Sequence, residues 1–146
     1  METLQDILKY RFKDVGLLHK AITHSSVHPN VDANYERLEF LGDRVLGVAV
    51  ASLLYQLFPK EPEGNLSQRF VGLVCKETVA EVGRTLKLDE FMNVALPELR
   101  HNENVLCDVC EAVIGAIYMD AGVDAAIEFV DTHWRDLIDN NVAPPK

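Results

Sequence analysis

The chain has 146 residues, 48% of them hydrophobic and 25% charged, which suits one globular domain with a single substantial core. Its formal net charge of −9 weighs against nucleic acid as a partner, since phosphate-binding domains are normally basic, unless much of the acidity is a cation site whose ions invert the local field. No apolar run approaches a membrane span, the start M-E-T-L-Q-D-I-L lacks a secretion signal, and three cysteines, an odd number, point to reduced thiols and a cytoplasmic setting.

Helical periodicity dominates, without a strand or hairpin signal, so the expected class is all-α. A first helix is expected over about residues 4–10. Asp14 is placed to cap a second, over about 15–23, with Leu17, Leu18 and Ile22 apolar. Residues 28–34 are polar, contain Pro29 and read as a loop. A long helix is expected over about 35–58, stopped by Pro59. Pro62 and Gly64 mark 60–64 as a connection, after which Asn65 or Ser67 caps a helix reaching about residue 86. Residues 89–104, with Pro97, read as an irregular connector. A helix over about 105–121 ends at Gly122, and an amphipathic one over about 123–138 carries Ala126, Phe129, Val130, Trp134 and Leu137, with Trp134 in the core. The domain is expected over 1–140, and 141–146, ending Ala143-Pro144-Pro145-Lys146, reads as the start of a linker or tail.

Two segments carry the chemistry. In Y-E-R-L-E-F-L-G-D-R-V-L (residues 35–46), helical rotation puts Glu36, Glu39 and Asp43 within about 60° of one another. The same stripe continues through Leu46, Val50, Leu53 and Leu57, so it is acidic in its first turns and apolar afterwards. Helix faces usually separate these characters, and burying unpaired carboxylates is costly. The second segment puts Asp108 and Glu111 at i, i+3, on one stripe with Gly115 and Met119. Gly115 lowers helix propensity but lets another helix come close. If the two stripes face each other, Glu39, Asp43, Asp108 and Glu111 form a nest of oxygen ligands that suits Mg²⁺ or Mn²⁺ rather than Zn²⁺.

Other patterns weigh less. Solvated helix starts and capping compete for the four acids. Cys107-x-x-Cys110 has a zinc or redox reading, but mid-helix spacing favours small buried hydrophobes. Glu98-x-x-His101 is half of a di-iron pattern that needs two copies.

At these residues the chain resembles a known family. E-R-L-E-F-L-G-D-R-V-L is similar to the signature of the ribonuclease III endonuclease domain, and D-V-C-E-A-V-I-G-A-I-Y-M-D resembles that family's second acidic motif. A-I-T-H-S-S (21–26) and E-G-N-L-S-Q-R-F (63–70) resemble its flanking elements, in matching order over about 4–138. The resemblance implies the all-α endonuclease fold in a homodimer. It further implies hydrolysis of double-stranded RNA to 5′-phosphate and 3′-hydroxyl ends, in ribosomal-RNA and messenger-RNA processing. Asp43 and Glu111 would be the most demanding catalytic positions, with Glu39 and Asp108 completing a site for Mg²⁺, replaceable by Mn²⁺. No small-molecule cofactor or membrane is expected. Glu36 and Glu63 match commonly acidic positions and are secondary candidates, while ordinary ion pairing remains the alternative. Phe40 matches an aromatic that packs into the partner subunit. His24, Ser25 and Ser26 read as a hydrogen-bonded structural element.

Three positions depart from the family pattern: Arg44 replaces a common Ser or Ala, Arg69-Phe70 alters a basic position, and Cys110 replaces Phe or Val. Two other classes stay open: an inactive ribonuclease III-like binding protein of RNA assemblies or ribosomes, which should lack some of the four acids, and an all-α docking or metal-binding domain without an RNA role.

Overall fold

The computed structural model describes residues 1–141. In chain order its helices are α1 (Glu2–Leu8), α2 (Val15–Ala21), α3 (Glu36–Leu57), α4 (Glu63–Val74), α5 (Lys76–Thr85) and α6 (Leu88–Phe91), then a 3₁₀ turn (Pro97–His101), α7 (Glu103–Ala121) and α8 (Val123–Asn140). Extended structure among the described residues is a single bridge, Thr23 to Asn93, so the all-α expectation holds. None of these helices is long and apolar enough to cross a membrane.

α7 is the axis of the core. Val109, Cys110, Ala112, Val113, Ile114, Ala116 and Ile117 are fully buried, an apolar surface nearly all round that only a central helix can satisfy. It packs against α2, α3, α5 and α8. α3 lies along it with Leu46, Ala49, Val50, Leu53 and Leu54 inward, whereas Leu57, on the same stripe, sits at the helix end and is partly exposed. α8 closes the other side with Phe129, Val130, Trp134 and Ile138. As expected, Trp134 is core, and its indole N–H is satisfied by donating to the Leu73 carbonyl at 3.0 Å.

α3 and α7 approach each other closely. A Cβ on Gly42 would lie 1.7 Å from the Glu111 carbonyl oxygen, and one on Gly115 would lie 2.3 Å from the Leu38 carbonyl oxygen. Each glycine therefore makes room for the other helix's backbone. Each costs about 1 kcal/mol of helix propensity relative to alanine, which the buried length of α7 offsets.

Local signals fixed several boundaries. Asp14 caps α2, its carboxylate accepting the Gly16 N–H at 3.0 Å. Gly122, at φ 92°, ends α7 in a conformation that favours glycine. Asn34, buried in the 28–34 loop, accepts the Glu36 N–H at 3.0 Å and so opens α3. Asn102 does the same for α7, accepting from Val105 N–H at 3.1 Å.

Other expectations need correction. The helix expected to reach residue 86 is two helices, because Cys75 adopts an extended conformation (φ −66°, ψ 156°). Thr78 then holds the corner by donating its hydroxyl to the Gly72 carbonyl at 2.7 Å. Neither Asn65 nor Ser67 caps it: α4 starts earlier, at Glu63 after Pro62, and Ser67 donates to Glu63 Oε2 at 2.7 Å. The 89–104 connector contains the end of α6 and the 3₁₀ turn, tied by Arg100 donating to the carbonyls of Asp89 (3.1 Å) and Met92 (2.7 Å). α1 and α2 both end two residues earlier than expected. The 142–146 part of the linker expectation lies outside the described residues.

Gly42→Ala is expected to cost about 3 kcal/mol or more, or to prevent folding, because backbone must move. Gly47→Ala, whose Cβ would meet only Phe70 Cζ at 3.6 Å, should change stability by no more than about 1 kcal/mol. Urea unfolding followed by circular dichroism distinguishes the two.

Candidate metal centre

Glu39 and Asp43 project from the first turns of α3, on either side of Gly42, and Asp108 and Glu111 from the first half of α7. The glycine crossing lies between the two pairs: the backbone that Gly42 accommodates is that of Glu111 itself. The four acids expected to converge are brought together, within electrostatic reach of one another.

Glu111 lies deepest, 6% exposed, with the Asp43 carboxyl beside it. Burial, first, and then the adjoining Asp43 carboxyl and the charges of Glu39 and Asp108 push Glu111 up to about 9. Without a cation, Glu111 is therefore protonated at neutral pH. Burial and the neighbouring charges of Asp108 and Asp43 also raise Glu39, opposed by Arg44. Burial raises Asp108, opposed by the Tyr35 hydrogen bond and by His24.

The donor chemistry fits a hard divalent cation: Asp108 and Glu111 carry oxygens within 4.8 Å of each other, and Glu39 and Asp43 stand within electrostatic reach of them. Cys107 Sγ lies within 4.8 Å of oxygens of both Asp108 and Glu111. Burial, then Glu111, Asp108, Glu39 and Asp43, drive its thiol far above the usual range. It is thus a neutral wall of the site rather than a thiolate ligand. Cys110 is fully buried in the core, as expected of a small hydrophobe.

Glu36 sits exposed at the rim, where its charge acts on Tyr35, Glu39 and Asp108. Glu63 is not brought to the cluster within this chain. It lines a groove with Ala51, Leu54 and Tyr55, about 20 Å along α3 from Glu39.

Tyr35 is a contributor that the motif reading passed over. Buried just before α3, it donates its hydroxyl to Asp108 Oδ2 at 3.4 Å. Its signal in the sequence is its i, i+4 relation to Glu39. The His24 ring stands edge-on to Tyr35, 5.7 Å between centroids, and its Nδ1 accepts the Ser26 N–H at 2.9 Å. Ser26 Oγ in turn accepts the Ala95 N–H at 3.0 Å. The T-H-S-S element thus has the structural role expected, bracing the wall behind Tyr35. Arg69 is engaged elsewhere, paired through two nitrogens with Glu61 at 2.7 and 2.8 Å and stacked 4.0 Å over Phe58.

Residues 14–136 match the family model described as ribonuclease-III-like. The chain belongs to the ribonuclease-III-like family. It is 44% identical over 140 residues to Ribonuclease 3 of Bartonella bacilliformis, covering 93% of this chain and 60% of that protein. It is 38% identical to Ribonuclease 3 of Ehrlichia canis, covering 100% and 67%. Among solved structures, the nuclease domain of ribonuclease III from Campylobacter jejuni superposes with a TM-score of 0.82 at 38% identity, covering 96% of each chain. The chain spans roughly three fifths to two thirds of the length of these curated relatives. The acidic crossing is thus set in a ribonuclease-III-like nuclease fold.

Cation binding to this centre should release protons and tighten between about pH 6 and 9, as Glu111 loses its proton. Mn²⁺ calorimetry in buffers of different ionisation enthalpy measures both. Because the folded-state value of Glu111 is raised to about 9, its contribution to stability is complete below the ordinary carboxylate range and is lost as pH rises through 9. Glu111→Gln should therefore raise the Tm of metal-free protein at pH 8 more than at pH 5, read by thermal unfolding in EDTA.

Proposed function

We propose that this chain is the endonuclease unit of a cytoplasmic, metal-dependent endoribonuclease that hydrolyses double-stranded RNA to 5′-phosphate and 3′-hydroxyl ends. The observation that carries the reading is the convergence of Glu39, Asp43, Asp108 and Glu111 at the α3–α7 crossing, in a family whose curated members include Ribonuclease 3. An inactive relative would have no need to hold four carboxylates together against their repulsion.

In this reading the four acids hold Mg²⁺, with Mn²⁺ as a substitute. When bound, the ion supplies an activated water and offsets the charge of the phosphodiester. Asp43 and Glu111 are the catalytic pair, as the motif match implies, and they stand beside each other at the crossing. Tyr35 orients Asp108, and the neutral Cys107 thiol closes the site's inner wall. Glu36 stands at the rim, facing the substrate side.

The partner is a second copy of the chain. Phe40 is 61% exposed and lines a groove whose other apolar residues are Leu17, Val31, Leu38, Leu41 and Met119, with Lys20, Asp32, Glu36 and Arg37 also in its lining. Across a two-fold axis, the ring of one protomer would fill the groove of the other. The Campylobacter jejuni nuclease domain has a region involved in dimer formation, which supports this arrangement. Two sites then face the two strands of a duplex, read by shape and backbone. Precursor ribosomal RNA and structured messenger RNA are the substrates we assign. The net charge of −9 makes RNA affinity weak and salt-sensitive.

End-labelled double-stranded RNA at low salt tests the reading. Cleavage is expected with Mg²⁺ and not with EDTA, with 5′-phosphate products, and Glu111→Ala should lower the rate at least about 100-fold. A folded, dimeric wild type that binds duplex without cutting it would contradict the proposal. For assembly, Phe40→Ala should weaken self-association by about tenfold or more, measured by sedimentation equilibrium.

A further inference from the structure

Arg44 follows Asp43 on the exposed side of α3, and its side chain, though largely in solvent, has fixed partners. Nη1 lies 3.2 Å from Asp43 Oδ2 and 3.4 Å from the Phe40 carbonyl oxygen. Its guanidinium carbon stands 4.1 Å from the centre of the Phe40 ring. A planar guanidinium stacked on an aromatic face and bonded at its edge is held in one orientation. Of the ion pairs among the described residues, Arg44–Asp43 is the one that touches the acidic cluster. Its charge also reaches Glu39.

The consequence is electrostatic. A divalent ion entering between α3 and α7 must take Asp43 as a ligand while a fixed cation sits on the same carboxylate. Arg44 has already neutralised part of the potential that draws the ion in, and it repels the ion once there. Arg44 and Asp43 are 61% and 52% exposed, so water and salt screen the effect to a moderate size. A Ser or Ala at this position would leave the four carboxylates without that competitor.

We propose that Arg44, braced on Phe40, is a positioning residue that sets the divalent-ion requirement of the centre by competing for Asp43. It rests on the metal-dependent reading above. The site consequently demands a higher ion concentration than the same four carboxylates would without Arg44, and the difference fades as salt rises.

Direct Mn²⁺ binding, read from the electron paramagnetic resonance signal of free Mn²⁺, tests this without any RNA. Wild type, Arg44→Ser and Arg44→Lys are compared at low and high salt, with thermal unfolding confirming that each is folded. Arg44→Ser should bind Mn²⁺ about three- to tenfold more tightly at low salt, with the advantage falling below about twofold at high salt. Arg44→Lys, which keeps the charge but not the planar stack on Phe40, should fall between wild type and Arg44→Ser. Equal or weaker binding by Arg44→Ser overturns the proposal, as does a Ser advantage that high salt leaves undiminished. A wild type that binds no Mn²⁺ at millimolar concentration removes the metal centre itself, and this inference with it.

Discussion

At Gly42 and Gly115 two helix backbones pass so closely that a methyl group on either would strike the other chain segment. Everything at the centre depends on that approach. Glu39 and Asp43 lie on one side of it and Asp108 and Glu111 on the other, and a wider crossing would leave two separate, solvated acidic patches. The approach is held from behind by α7, whose buried stretch from Val109 to Ile117 packs against helices on several sides. Apolar burial elsewhere thus supports an arrangement that electrostatics alone would push apart.

The strain of that arrangement is visible in protonation. Glu111, almost without solvent and facing three other carboxyl groups, keeps its proton well above the usual range. Glu39 and Asp108 are raised as well. The surroundings relieve the crowding at its edges: Arg44 on Asp43 and the Tyr35 hydroxyl on Asp108, with His24 behind. None of them neutralises the centre. A cluster left short of positive charge in this way calls for an external cation, which would reconcile an acidic chain with the anionic substrate proposed for it.

Much of the site was legible because helical rotation is a local property. The i, i+4 spacing of Glu39 and Asp43, the i, i+3 spacing of Asp108 and Glu111, and a glycine on the second stripe were enough to bring α3 and α7 face to face on paper. Asp14 and Gly122 announced helix ends by their own chemistry. The misses were tertiary. Cys75 breaks a helix without Pro or Gly, held by Thr78 reaching back to Gly72. Glu63 lies in a matching motif, yet α3 carries the α4 end far from the cluster. Tyr35 could be tied to Asp108 only once the α3–α7 crossing fixed which side of α3 faces α7. Cys107 resembled half of a metal pair, whereas its real neighbours are the carboxylates one and four residues on.

Diffraction from crystals soaked in Mn²⁺, with the anomalous signal mapped, would test the central claim most directly. The account predicts manganese at the α3–α7 crossing, coordinated by oxygens of Asp43 and Glu111 with Glu39 and Asp108 bound directly or through water. Manganese absent from that crossing at millimolar concentration would contradict it.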